Sequence, residues 1–456
     1  MQQFLRLKAL AIATAAALAL AACGGGGSDG NAFYPPAPTA AAEPALAPAS
    51  PESAGFSSDR LKTVIETAHA FVDNKKGAAP PGIALYVARH GKIVLDDIYG
   101  KSDLASGAAL KADTIYRIYS QTKPVTAVAM LKLYEQGKWQ LDDPVTRFIP
   151  EFANLQVYKG KDDKGNAILE PASRPATMRE LMTHTAGFAY GLVAGESDVD
   201  DMYRASNMLG QPGTKAFIDK LASLPLAYQP GEKWKYSIAM DVQGVIVERL
   251  SGQSFSQFMQ DNIFGPLRMK DTGFYVPEDK RSRLATLYGV DPASGQIAPY
   301  TSGLFLLDIF TNPPVLPSGG GGLVSTTADY ARFAQMLLKG GELEGVRILK
   351  PETVKLMMSN HLSDKVQAYL QGNKVPVFPG AGFGFGLNGA VVVDPAKSPL
   401  KQGKGTYTWG GAAGTTFWVD PANDMIVLGM IHVLGLSGSL ASLSPSIYDA
   451  LTDPSK

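Results

Sequence analysis

Ser120 and Lys123 stand three residues apart at the head of an apolar run, in the stretch Ile115-Tyr116-Arg117-Ile118-Tyr119-Ser120-Gln121-Thr122-Lys123-Pro124-Val125-Thr126. If Ser120 opens a helix, residues i and i+3 share a face, so its hydroxyl and the lysine ammonium point into the same space. A serine hydroxyl is a weak nucleophile near neutrality and needs a group to take its proton. A lysine can do so only when burial or neighbouring charge lowers its pKa. The pair therefore predicts a partly enclosed, electropositive pocket around a serine nucleophile. Downstream, Val125, Val128, Ala129, Leu131 and Leu133 recur at helical spacing as far as Gly137, which describes a buried helix with a glycine stop. Pro124 falls early enough for the first turn to tolerate it. Taken alone, Ser-x-x-Lys also fits a serine helix cap followed by a solvated lysine. The chain even holds a second match, Ser398-Pro399-Leu400-Lys401, where proline comes second and no amphipathic run follows.

Two further stretches follow in order, Tyr236-Ser237-Ile238 and Trp409-Gly410-Gly411. With Ser120-Gln121-Thr122-Lys123 they resemble the penicillin-recognising serine hydrolases, specifically the class C β-lactamase-like branch and the family VIII carboxylesterases. Leu181-Met182-Thr183-His184-Thr185-Ala186-Gly187, Gly320-Gly321-Gly322-Leu323-Val324-Ser325-Thr326 and Pro266-Leu267-Arg268-Met269-Lys270-Asp271-Thr272-Gly273-Phe274 add to the likeness, which spans roughly residues 52 to 450. The resemblance implies an α/β fold of the α+β type: an antiparallel sheet with flanking helices and an inserted all-α lobe. It places the α/β lobe at about 52–117 and 300–456, the helical lobe at about 118–299, and the site at their junction.

The chemistry implied follows from these residues. Ser120 attacks an acyl carbonyl and forms an acyl-enzyme that water later hydrolyses. Lys123 and Tyr236 form the proton-transfer system, and which of them first takes the serine proton stays open at this stage. By family analogy the amides of Ser120 and Ala412 form the oxyanion hole, and Trp409, Gly410 and Gly411 form the far wall of the site on an edge strand. β-Lactamases carry Lys-Thr-Gly at that wall, where a cation helps receive the substrate carboxylate. Trp409 is neutral, large and apolar, which favours an uncharged ester. Lys404-Gly405-Thr406 has the wrong order and lies about 16 Å upstream along an extended strand. Ile238 stands where class C β-lactamases carry Asn, and it can make none of the hydrogen bonds of an amide. The reading is a serine hydrolase of carboxylic esters with short or medium acyl chains. A β-lactamase or D-amino-acid peptidase of the envelope, or a non-catalytic scaffold, are the alternatives.

His184 invites a Ser/His/Asp scheme, but its setting resembles a structural turn. Gly319 to Gly322 reads as a tight passage beside the site, since no Lys-Ser/Thr follows to make a phosphate loop. Gly26-Gly27-Ser28-Asp29-Gly30 matches a nucleophile elbow in letters only, with no strand before it or helix after it.

Residues 1–23 read as a targeting segment. Arg6 and Lys8 precede an apolar run from Leu10 to Leu20, and Leu20-Ala21-Ala22-Cys23 closes it like a bacterial lipobox. Cys23, the single cysteine, is then the lipidation site, and several acyl chains would hold the protein in a bilayer. Gly24, rather than Asp, after it resembles outer-membrane sorting, so the expected location is an exported lipoprotein facing the periplasm. Residues 24–51 are Gly-rich, then Ala/Pro-rich, and read as a flexible tether. The domain proper is expected over 52–456.

With 42 basic and 42 acidic residues the chain is formally neutral, which argues against a nucleic-acid partner. No metal ligand spacing or organic cofactor motif is present, and no internal repeat. Ser57 or Ser58 starts a predicted helix through Val72. His90-Gly91 joins two predicted strands, Gly82 to Arg89 and Lys92 to Tyr99. Thr177-x-x-Glu180 is a capping-box pattern, Val242 to Leu250 a helix closed by Gly252, and Thr326 to Leu338 another helix. Strand signals return at Gly405 to Gly411, Thr415 to Val419 and Met425 to Val433.

Overall fold

The hairpin turn at His90-Gly91 shows how local chemistry sets the sheet. Both residues take left-handed φ values, 56° and 73°, the conformation that matches the twist of two flanking strands. In the computed structural model, which describes residues 45–74, 77–301, 310–436 and 439–453, this turn joins β2 (Gly82–Arg89) to β3 (Lys92–Gly100). Five strands late in the chain complete the sheet: β4 (Phe383–Phe385), β5 (Ala390–Val392), β6 (Tyr407–Gly410), β7 (Thr416–Asp420) and β8 (Met425–Met430). With β1 (Ala47–Pro48) at one edge, the order is β1-β3-β2-β8-β7-β6-β5-β4. The two ends of the chain meet where β8 pairs antiparallel with β2, from Met425 opposite Arg89 to Met430 opposite Ala84.

Every residue of β2 is buried, because both faces of the sheet are covered. Ile83, Leu85 and Val87 face α1 (Ser58–Val72), which buries Leu61, Val64 and Ala68 and is capped by Ser57. Ala84, Tyr86 and Ala88 face a second core. That core holds α2 (Thr122–Glu135) and, later in the chain, the capping-box helix α3 (Met178–Met182), α4 (Ala239–Ser251, closed by Gly252 at φ 73°) and α5 (Thr327–Leu338). The result is helices on both faces of a largely antiparallel sheet. Helix α2 is buried nearly all round, including Lys123 at its first turn, because it is wedged between sheet and inserted helices.

The structure departs from the sequence expectations in four places. Ala47–Pro48 is not tether: it adds as a parallel strand on β3, with Ala47 N–H donating to Gly91 O and Ala49 N–H to Ile93 O, and a 3-10 turn follows at Pro51–Ala54. Edge addition uses backbone groups alone, so an Ala/Pro-rich composition did not reveal it. Ser120 does not open the helix; it sits in a 3-10 turn, Tyr119–Gln121, just ahead of α2. The inserted region is mainly helical but also carries a hairpin, Gln156–Lys161 with Ala167–Pro171, and strands Tyr288–Val290 and Ile297–Pro299. Finally, β6 is not an edge strand: β5 and β4 lie beyond it. β5 pairs only with Tyr407 and Thr408, however, so at Trp409 and Gly410 one side of the strand is free. Cys23, residues 1–23 and the Gly-Gly-Ser-Asp-Gly stretch lie outside the described residues.

Candidate active site

Tyr119 holds a φ of 41°, in the left-handed region that bulky residues avoid. This turns the chain so that Ser120 projects beside the N-terminus of α2 instead of along its axis. Two tethers fix the turn. Tyr116–Arg117 pairs antiparallel with Val324–Ser325, and Ile118 N–H donates to Leu323 O at 3.1 Å. From the other side, the turn after β6 closes in: a side chain at Gly411 would meet Ile118 O at 2.3 Å, so only glycine permits the approach.

Around Ser120 the structure assembles the other two sequence candidates. Tyr236 donates its hydroxyl proton to Ser120 Oγ at 2.6 Å. Lys123 Nζ lies 3.2 Å from the same oxygen and donates to Gly320 O at 2.6 Å. Nζ also lies 4.5 Å from the Tyr236 ring centroid and 5.2 Å from that of Tyr190. Lys123 is fully buried, and that desolvation brings its pKa down from 10.5 to about 7, against the opposing pull of Asp241. Burial pushes the Tyr236 phenol the other way, well above its ordinary value; its hydrogen bond with Ser120 works against this. The lowered lysine pKa and the raised phenol pKa both favour the amine over the phenolate as a base. Its lone pair can take the Oγ proton while its own hydrogens remain bonded to Gly320 O. The positive end of α2 adds to the field that favours the attacking oxygen.

Trp409, Gly410, Gly411 and Ala412 line the same cavity of about 300 Å³ as Ser120 and Tyr236. Ala412 N–H donates to no protein acceptor among the described residues, which leaves it available to an oxyanion entering beside Ser120. Tyr190, Leu192, Leu209, Val377 and Leu434 supply the rest of an aromatic and aliphatic wall. Ile238 is fully buried and donates its N–H to Ala189 O, away from the cavity.

Sequence reasoning passed over Asp241. This buried carboxylate in the first turn of α4 accepts from Ser318 Oγ, from Gly320 N–H at 3.2 Å and from Tyr190 O–H at 3.4 Å. It thereby fixes the glycine whose carbonyl receives Lys123. A side chain at Gly320 would meet Asp241 Oδ2 and Tyr190 Oη at 2.5 Å each, which explains the glycine run. An acid amid Ala239-Met240-Asp241-Val242 was the available signal. No hydrogen bond joins His184 to Ser120 among the described residues. Its Nδ1 accepts from Ser237 N–H at 3.0 Å and meets Ser237 Oγ at 2.8 Å, while its ring packs 4.8 Å from Tyr236. It positions the tyrosine from behind.

A serine at a helix mouth with a buried lysine and a tyrosine on its oxygen, at the edge of an α/β sandwich, defines a class of serine hydrolase. The Beta-lactamase family matches residues 68–451, and the chain belongs to it. Protein Rv1367c of Mycobacterium tuberculosis is 40% identical over 77% of this chain and 85% of its own length. Esterase EstB of Burkholderia gladioli is 32% identical over 80% of this chain and 90% of its own. Among solved structures, EstCE1, described as a hydrolase with promiscuous acyltransferase activity, superposes with a TM-score of 0.68 at 26% identity over 87% of this chain and 98% of that one. The protein is a class C β-lactamase-like serine hydrolase close to the family VIII esterases.

Proposed function

We propose that the protein cleaves carboxylic esters of short or medium acyl chains, with Ser120 as nucleophile, Lys123 as the base that receives its proton and Tyr236 as the acid that protonates the leaving alcohol. The observation that carries this reading is the wall facing Ser120: Trp409, Leu192, Leu209, Val377 and Leu434 line it, and among the described residues no cation other than Lys123, behind the nucleophile, stands there to receive a substrate carboxylate. An uncharged acyl group suits that wall, and a β-lactam or peptidoglycan carboxylate does not. Ser120 Oγ bonds to the carbonyl carbon, the oxyanion rests on the amides of Ser120 and Ala412, the ester C–O bond breaks, and water then releases the acyl group by the reverse proton path.

The test is hydrolysis of p-nitrophenyl butyrate and nitrocefin by the protein and by Ser120→Ala. Ester turnover that vanishes in the variant, with nitrocefin untouched, supports the reading; fast nitrocefin turnover overturns the substrate assignment. A shortened protein for this assay should begin before Ala45, because Ala47–Pro48 belongs to the sheet. We further propose that acylation of Cys23 tethers the enzyme to a membrane, probed by palmitate incorporation that Cys23→Ala abolishes. No described helix is long and apolar enough to cross a membrane.

A further inference from the structure

Beside the catalytic cavity lies a second one that cleavage at Ser120 does not itself require. It measures about 760 Å³, against about 300 Å³ around Ser120. The two share a wall: Val377 lines the catalytic cavity, whereas its neighbours Val375, Pro376 and Phe378 line the second. Leu370, Phe383 and Val393 add further apolar surface there. The polar side chains of the second cavity are engaged within the protein or stand at its rim. Gln367 donates to Phe383 O at 2.9 Å, Asn373 to Tyr369 O at 2.8 Å, and Asp394 pairs with Lys397 at 3.1 Å. Gln371 and Lys374 are exposed. Such a lining suits hydrocarbon.

Val377 is the sill between the cavities. It is 59% exposed and holds a φ of 69°, which β-branched residues avoid. A residue stays in that region only where its surroundings over-determine it. Here Pro376 precedes it with a fixed φ, and Phe378 after it packs edge-on against Trp234 at 5.2 Å. An apolar side chain kept in water at the mouth of a reacting site gains when a ligand covers it. We propose that the second cavity is a subsite for the hydrocarbon part of the leaving alcohol, which crosses Val377 on its way from Ser120. The assignment rests on the esterase chemistry proposed above and adds no step to it. In that chemistry Tyr236 protonates the leaving oxygen, so the alcohol departs on the tyrosine side. Trp234 lies 6.3 Å from the Tyr236 ring at 27° and carries that side on to Phe378 and the second cavity. The acyl group keeps the catalytic cavity, whose 300 Å³ holds about ten water-sized groups at roughly 30 Å³ each. The substrate class is thus an ester of a small acid with a longer aliphatic alcohol.

Ethyl butyrate, hexyl butyrate and ethyl octanoate test the assignment, with acid release followed by titration at constant pH. Each further methylene buried in the transition state is worth about fourfold in kcat/KM. Wild-type kcat/KM should therefore be about 10-fold or more higher on hexyl than on ethyl butyrate, and should rise by less than about 3-fold from ethyl butyrate to ethyl octanoate. Val375→Trp, which fills the second cavity from its wall, should lower the hexyl-to-ethyl ratio by about 10-fold. A wild-type ratio near one, or a ratio that Val375→Trp leaves in place, would overturn the inference. A gain on ethyl octanoate in place of hexyl butyrate would give the cavity to the acyl chain and overturn it equally. Turnover of p-nitrophenyl butyrate with none of hexyl butyrate would sink this inference alone, whereas silence on both would sink the esterase reading with it. Should Val375→Trp lose its near-ultraviolet circular dichroism, Ala381→Trp fills the same cavity from an exposed position and is measured on the same esters.

Discussion

Two lysines flank Tyr236 and have been driven in opposite directions. Lys123 is fully buried among Ser120, the Gly320 carbonyl and two aromatic faces, with no carboxylate in hydrogen-bond contact among the described residues, and desolvation lowers its pKa to about 7. Lys235, the neighbour of Tyr236 in sequence, is also largely buried, yet it pairs with Asp200 at 2.7 Å and Glu196 at 2.8 Å. Burial alone would lower Lys235; the two carboxylates outweigh it and raise its pKa. The same side chain is thus made a base by withholding an anion and a fixed cation by supplying two. The loop that carries Tyr236 is pinned by one lysine and worked by the other.

The sharpest way to break this contrast is to keep charge at position 123 and forbid its loss. Lys123→Arg should lose activity as completely as Lys123→Met, by about a thousand-fold or more in kcat/KM, because a guanidinium cannot deprotonate near neutrality. Substantial activity in Lys123→Arg would mean that the cation, not the free amine, is what the site needs. Stability should move the other way. Between the folded pKa of about 7 and the unfolded 10.5 the unfolded chain binds the extra proton, so stability from this group rises with pH across that window and is penalised in full below it. Lys123→Met should therefore raise the unfolding temperature by a few degrees, on the order of 1–2 kcal/mol, more at pH 6 than at pH 10. Thermal unfolding at the two pH values checks the sign.

A smaller change tunes the base. Wild-type kcat/KM should rise with pH through about 7 and then level, as Lys123 becomes neutral. The Asp241 charge holds that pKa up. Asp241→Asn should therefore move the rising limb to lower pH while loosening Gly320, with a loss of about 10-fold at the plateau. A limb that stays in place would separate Asp241 from Lys123.

How much of this was legible in the sequence depends on whether the signal was local. The Ser57 cap, the His90-Gly91 turn, the Thr177/Glu180 capping box and the Gly252 stop all appear where spacing puts them, since each is decided within four or five residues. The proximity of Ser120, Lys123 and Tyr236 followed from ordered motifs. What composition and spacing could not carry was tertiary: β1 joins through backbone bonds, β6 lies inside the sheet because β5 and β4 extend it, and Asp241 reaches the site only once α4 docks on Gly320. Nor could spacing distinguish Lys123 from Lys235. Their difference is the presence of Asp200 and Glu196, which come from another segment of the chain.

That last distinction can be tested at Asp200, with the smallest expected effect on catalysis. Asp200 is 1% exposed and accepts from Gly191 N–H at 3.1 Å and Tyr190 N–H at 3.3 Å as well as from Lys235. Asn at this position can keep both backbone bonds on its Oδ1 but, with an amide nitrogen in place of Oδ2, gives up the bonds from Lys235 and Ser197 along with the charge, while Glu196 remains to hold Lys235. The expected cost is about 1–2 kcal/mol of stability at neutral pH, with kcat/KM within about 3-fold. The Asp200 pKa is lowered in the fold: burial raises it, but the Lys235 and Ser197 hydrogen bonds prevail. Its stabilisation is therefore present above the unfolded carboxylate range and lost as pH falls through the folded value, so the gap between wild type and Asp200→Asn should close in acid. If Asp200→Asn instead collapsed activity at unchanged stability, Lys235 would belong to the chemistry of Tyr236, and the division between a working lysine and a pinning one would fail.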